Sequence, residues 1–228
     1  MAQKAKIWEG VIRINHWLLT IAIIGLFVSA ELNMFSRHVQ IGKFVLALVI
    51  FRILWGLVGS QPARFKAGFC SLFRIPAYSK TLFRRRPEYT TGHTPLGWLM
   101  VFALLMAVGG QALLGLSMEK NVNGHVHSHQ LSPLFKSGEL KEMFNFIHTD
   151  IMPKIIIALI VIHILAILWY LWGKKQNLIP AMITGNKMVN NPPQTNFKKF
   201  IIPAVLTAAV AIATTWVIIN LAKILGLS

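Results

Sequence analysis

The sequence predicts an all-α membrane protein: a four-helix transmembrane bundle with a fifth transmembrane helix at its C-terminal end. Three observations carry that reading. The chain of 228 residues is 55% hydrophobic and only 13% charged, with a mean hydropathy of +0.59, whereas a soluble domain has about a quarter of its residues charged. Its apolar residues collect in five runs, each near the roughly 20 residues that a helix needs to cross the hydrocarbon core. The 23 Lys and Arg residues, which give a net charge of +16, fall between those runs and not along an amphipathic face. The basic charge therefore points to membrane topology and away from nucleic acid.

The five predicted spans run from about Val11 to Ala30, Val39 to Gly59, Leu96 to Leu116, Phe146 to Trp172 and Phe200 to Leu225. Helices are expected because lipid satisfies no open backbone polar group. The first span is read as a retained helix and not a cleaved signal. The chain divides into a helical membrane domain (1–175), a linker (176–199) with Pro192-Pro193 and several Asn, and the additional helix (200–228).

Charge sets the expected orientation. Lys4, Lys6 and Arg13 open the chain. Arg64, Lys66, Arg74, Lys80, Arg84, Arg85 and Arg86 lie between spans two and three, and Lys174, Lys175, Lys187, Lys198 and Lys199 follow span four. The other two loops hold Arg37, Lys120, Lys136 and Lys141 among Glu31, Glu119, Glu139 and Glu142. The positive-inside rule then places the N-terminus in the cytoplasm and the linker on the same side. Trp8, Trp17, Trp55, Trp98 and Trp172 fall near span ends, where Trp is expected for interfacial reasons alone.

The single cysteine, Cys70, permits no internal disulfide, and there is no C-x-x-C-H motif for thioether attachment of a haem. The histidines are more informative. One histidine in a membrane helix is ordinarily a hydrogen-bonded packing residue. Here four pair by depth: His16 and His163 towards the cytoplasmic side, His38 and His148 towards the outer side. His148 and His163 are 15 residues apart, which puts them about 60° apart around a helix and roughly 22 Å apart along it. Two haems, one near each membrane surface and each held by imidazoles of facing helices, fit that spacing. Arg13 and Arg52 are candidate partners for haem propionates, although snorkelling also accounts for Arg52. Pro153, between the two histidines of span four, is expected to kink or bulge that helix.

The remaining histidines read differently. His93, in Gly92-His93-Thr94-Pro95, looks like a turn or cap residue. His125, His127 and His129 alternate in a polar loop, a spacing that suits either solvation or a metal cation. Asp150 suits either a proton relay or a solvated acid at a helix start.

The order of several short motifs resembles the prokaryotic cytochrome b561 family, in the branch similar to the b-type cytochrome subunit of Ni/Fe hydrogenases. The resemblance covers about Ile7 to Lys187. It rests on Trp8-Glu9 with Arg13-Ile14-Asn15-His16-Trp17, on His38 with Gly42, and on Phe51-Arg52-Ile53-Leu54-Trp55-Gly56. Ala63-Arg64-Phe65 and Gly92-His93-Thr94-Pro95-Leu96-Gly97 follow, then His148, His163 and the stretch from Asn177 to Gly185. It implies four core helices, two b haems on His16, His38, His148 and His163, and electron transfer between the quinone pool and a redox protein such as a hydrogenase or a c-type cytochrome. A multi-pass protein of the bacterial inner membrane is the implied setting, with quinone as substrate. The chain departs from the pattern at Lys43, at Ser29-Ala30, and in a longer interval between the span-four histidines. Competing readings from other classes are a His-lined transporter of metal cations and a haem-free anchor for a redox complex.

Overall fold

A computed structural model describes residues 3–85, 89–122, 125–128, 130–135, 137–192 and 197–226. It contains five helical spans long and apolar enough to cross a membrane. The first two are α1 (Gly10–Glu31) and α2 (Phe35–Val58). Between them the chain turns through Asn33, which has φ 55°, and the Met34 amide donates to the Ser29 carbonyl at 2.8 Å. Asn is one of the few side-chain-bearing residues that takes this left-handed conformation readily. Two short helices follow, α3 (Phe65–Leu72) and α4 (Ile75–Ser79), and then the third span, α5 (Pro95–Leu116). Pro95 begins α5, where its missing N–H costs no helical hydrogen bond.

The fourth span is a continuous helical run of 36 residues, Gly138–Gly173. It comprises α6 (Gly138–Phe146), a π-helical turn at Ile147–Ile151, α7 (Met152–Leu168) and a second π turn at Trp169–Gly173. It begins well before the expected Phe146, because its first turns carry Glu139, Lys141 and Glu142 and are too polar to be seen as part of a span. The bulge expected from Pro153 is present as the first π turn. There Met152 N–H reaches back to the Ile147 carbonyl, which widens the helix just where a proline ring would otherwise strike the preceding turn. After α8 (Ile179–Thr184) comes the fifth span, α9 (Ile201–Ile219). It stops at Asn220 and not at the expected Leu225, and the separate turn α10 (Leu221–Ile224) follows.

The chain forms two compact units, and the spanning helices contribute to both. Unit 1 contains residues 1–17, 52–104 and 158–207. It therefore gathers the three basic segments that the positive-inside rule grouped. They are joined by an antiparallel ribbon of β1 (Gln3–Lys6) with the strand Asn186–Val189, in which Gln3 faces Val189 and Lys6 faces Asn186. Ile7 and Trp8 extend the ribbon by donating to the Gly185 carbonyl at 2.8 and 3.1 Å. Gly185 has φ 86°, and a Cβ there would lie 2.5 Å from the Trp8 carbonyl oxygen, so both conformation and proximity require glycine. The Lys187 ammonium donates to the carbonyls of Thr90 and Gly92, and Asn190 N–H donates to Tyr89. The segment 176–199, expected as a plain linker, thus includes α8 and a strand that ties the N-terminus to the loop before α5.

Unit 2 contains residues 18–51, 105–157 and 208–228. Its core is Leu46, Leu116 and Leu131, packed by Ala112, Phe135, Ile218 and Leu221. A hairpin of Glu119–Val122 with His125–Ser128 follows α5. His129 lies outside the described residues, as do the side chains of His125 and His127. Both readings of that loop, solvated or metal-binding, therefore concern side chains outside the described structure.

Candidate functional site

In unit 2, α2 carries His38 in its first turns and the π turn after α6 carries His148. Their rings meet edge-on, with centroids 6.3 Å apart and planes at 86°. Each ring is fixed through Nδ1. His38 Nδ1 lies 3.0 Å from the Leu26 carbonyl and 3.2 Å from Ser29 Oγ, while His148 Nδ1 lies 3.1 Å from the Gln111 carbonyl. A carbonyl only accepts, so Nδ1 bears the proton in both rings and the lone pair sits on Nε2. A backbone carbonyl on the far nitrogen is the usual outer-shell partner of a metal-ligating imidazole. Two opposed imidazoles bonded to one metal at about 2 Å each would have centroids roughly 6 Å apart once the ring radii are added. The pair has the spacing and tautomers that would let both imidazoles serve one metal, so His38 and His148 are residues that would hold a haem iron, which would supply one-electron chemistry.

Local sequence explains why the rings stand there. Ser29 donates its own hydroxyl to the Leu26 carbonyl at 3.0 Å and still meets His38. Gln111 holds His148 twice, since its side-chain amide also donates to the His148 carbonyl at 2.8 Å. Gly115 makes room, because a Cβ there would lie 2.8 Å from His148 Cε1. His148 itself lies within the π turn Ile147–Ile151, which takes up one residue more than an α turn would.

Unit 1 holds the other candidates. His16 on α1 and His163 on α7 are both half-buried and close enough for their charges to interact. His16 packs edge-on to Trp17, whose indole N–H donates to the Met182 carbonyl. Arg13 donates through Nη1 to the Ile183 carbonyl, and its buried Nε has no hydrogen-bond partner among the described residues. Arg52 is buried, with its guanidinium 4.8 Å from the centre of the Phe65 ring and Nη2 donating to Ala63 at a long 3.4 Å. Its Nη1 is buried without a hydrogen-bond partner among the described residues. Two guanidinium groups with unmet buried N–H donors call for an anion, and a carboxylate such as a haem propionate matches them.

Two members of this cluster were not picked out as site residues from the sequence. Glu9 is buried; its Oε1 accepts from Trp55 Nε1 at 2.6 Å and Ser60 Oγ at 2.8 Å, and it attracts Arg52. His93, read as a turn or cap residue, is instead packed between the rings of Trp8 and Trp98, with centroids 4.6 and 4.9 Å away. Its Nδ1 is buried without a hydrogen-bond partner among the described residues. Burial above all, then the positive charges of Arg52 and Lys187 and those His163 and His16 can carry, pushes the His93 imidazole down to about 3. It is therefore neutral in the native protein. His93 and Trp98 line a cavity of about 290 Å³ whose other walls include Gln61, Thr91 and Asn191. The signal for His93 was its place within Gly92–Gly97, not its spacing.

Among the described residues no group of three or more His, Cys, Asp or Glu side chains could hold a bare metal ion. The model of the prokaryotic cytochrome b561 family matches residues 7–185. No curated protein and no solved structure matches the chain.

Proposed function

The chain belongs to the prokaryotic cytochrome b561 family, and from that membership we propose that it is a two-haem conduit carrying electrons across the membrane between the quinone pool and a redox protein. Family members bind haem b, and the chain is a multi-pass membrane protein of that electron-transfer family. In this reading His16 and His163 ligate one haem, and His38 and His148 the other. Arg13 and Arg52 receive propionates of the haem in unit 1. The N-terminus is cytoplasmic in the bacterial inner membrane, and the redox partner is a hydrogenase or a c-type cytochrome.

The observation that carries the proposal is the opposed pair His38–His148, with each Nδ1 bound to a backbone carbonyl. The bound haem supplies a reversible one-electron carrier. The chain supplies two neutral imidazoles of fixed tautomer, apolar surroundings and cations for the propionates, which together set the potential. We also place the quinone ring in the cavity beside His93. Trp98 offers it a flat apolar wall, while His93, Gln61, Thr91 and Asn191 offer polar groups to its oxygens.

The test is an oxidised-minus-reduced visible spectrum of the purified chain with haem quantified. Two b haems per chain, falling to about one in both His148→Ala and His163→Ala, is the expected result. A well-folded preparation without haem would overturn the proposal and favour a haem-free anchor.

A further inference from the structure

The loop between α2 and α5 does more than carry topology signals. From Gln61 to Arg85 it has no acidic residue, and Arg64, Lys66, Arg74, Lys80, Arg84 and Arg85 are all exposed. Large apolar side chains stand exposed among them: Phe73 is 88% exposed and Phe83 is 76% exposed. In a soluble protein such phenylalanines would be a liability. Here they belong to the segment that joins two membrane-spanning helices, and Phe83 packs on Trp169 near the end of a third; aromatic rings and long basic side chains are what such a position presents to a lipid interface.

The segment is also held in place. In unit 1 the hydroxyls of Tyr78 and Tyr170 are hydrogen-bonded, and Trp169 Nε1 donates to the Leu82 carbonyl at 3.1 Å. Phe83 packs edge-on to Trp169, with centroids 5.8 Å apart. The fully buried Lys174 lies against the rings of both tyrosines. The second π turn, Trp169–Gly173, supplies these anchors from one short stretch. On α3, Phe65 and Gly68 face inward while Phe69 stacks on Phe102 and Lys66 stays in solvent.

We propose that residues 64–85 form an interfacial platform that binds the phosphate headgroups of anionic lipids, with Phe73 and Phe83 inserted among the acyl chains and Arg74, Lys80, Arg84 and Arg85 on the phosphates. Charge favours an anionic occupant. The exposed phenylalanines favour lipid over an acidic protein, because a soluble partner would have to cover apolar rings already standing at the membrane surface.

Cys70, the single cysteine of the chain and exposed on α3, provides a reporter position without mutagenesis. An environment-sensitive bimane attached there, in the full chain in neutral detergent, is titrated with short-chain phosphatidylglycerol and, separately, phosphatidylcholine. Phosphatidylglycerol is expected to shift the emission at lower concentration than phosphatidylcholine. Arg84→Gln is expected to raise its half-saturation about fivefold, with Arg84→Lys close to the parent. Phe73→Ala is expected to weaken both lipids. Equal responses to the two lipids, or an Arg84→Gln variant that binds like the parent, would overturn the proposal. So would displacement of phosphatidylglycerol by inorganic phosphate, which indicates a simple anion site, or by polyglutamate, which indicates a protein-docking face.

Discussion

Ser29 Oγ lies 3.2 Å from Nδ1 of His38, and both groups converge on the Leu26 carbonyl. The last turn of α1 therefore sets the tautomer of a histidine on α2. Removing the hydroxyl leaves the carbonyl to do this alone. Ser29→Ala should keep its haem and shift the potential of the haem on His38. Redox potentiometry of the parent and variant, followed in the visible band, checks this; identical midpoint potentials would contradict the role of Ser29.

Gly115→Ala tests the seat of His148. In a helix Ala is ordinarily better than Gly by about 1 kcal/mol, so the fold should survive. The new Cβ would meet His148 at 2.8 Å and displace the ring. On the proposed two-haem reading, one haem should be lost, or become high-spin, while helical circular dichroism is unchanged.

Arg52→Gln removes a buried guanidinium whose Nη1 has no hydrogen-bond partner among the described residues. If that group holds a propionate, its loss removes a charge-assisted hydrogen bond of about 1.5–3 kcal/mol. Transfer of haem to apomyoglobin should then be faster for one haem, by about ten- to a hundredfold. An unchanged transfer rate would assign Arg52 to snorkelling.

His93 predicts a pH dependence of stability. Its native pKa is pushed down to about 3 from 6.5. Between those values the unfolded chain binds a proton that the native chain refuses. The native state is thus favoured above about pH 6.5 and loses ground as pH falls towards 3, by up to about 3 kcal/mol at pH 4. Thermal unfolding of His93→Phe, which keeps a ring between Trp8 and Trp98, should depend less on acid than the parent. Parallel curves would exclude His93 as the source.

The five spans were legible because lipid imposes a length and a composition that neither short polar loops nor buried soluble helices satisfy. Their ends were less so. Gly138 to Asn145 is helical without being apolar, and Asn220 stops a helix inside a run that stays apolar beyond it. That His38 and His148 come together was legible from depth, whereas their carbonyl partners Leu26 and Gln111 were not, since any backbone offers a carbonyl. His93 was missed because a histidine in a turn motif has no periodicity to reveal what packs on it. Glu9 was visible only as part of a motif, and its burial depends on Trp55 and Ser60, which lie 46 and 51 residues away in sequence.

The ribbon of Gln3–Lys6 with Asn186–Val189 has a consequence for biogenesis. β1 has its partner 180 to 186 residues downstream, so it waits until four spans have been made before it can pair. Such a distant closure comes late in folding. The ribbon then acts as a completion latch: a chain stalled or cut before Asn186 would carry its first four spans but leave β1 without its partner strand.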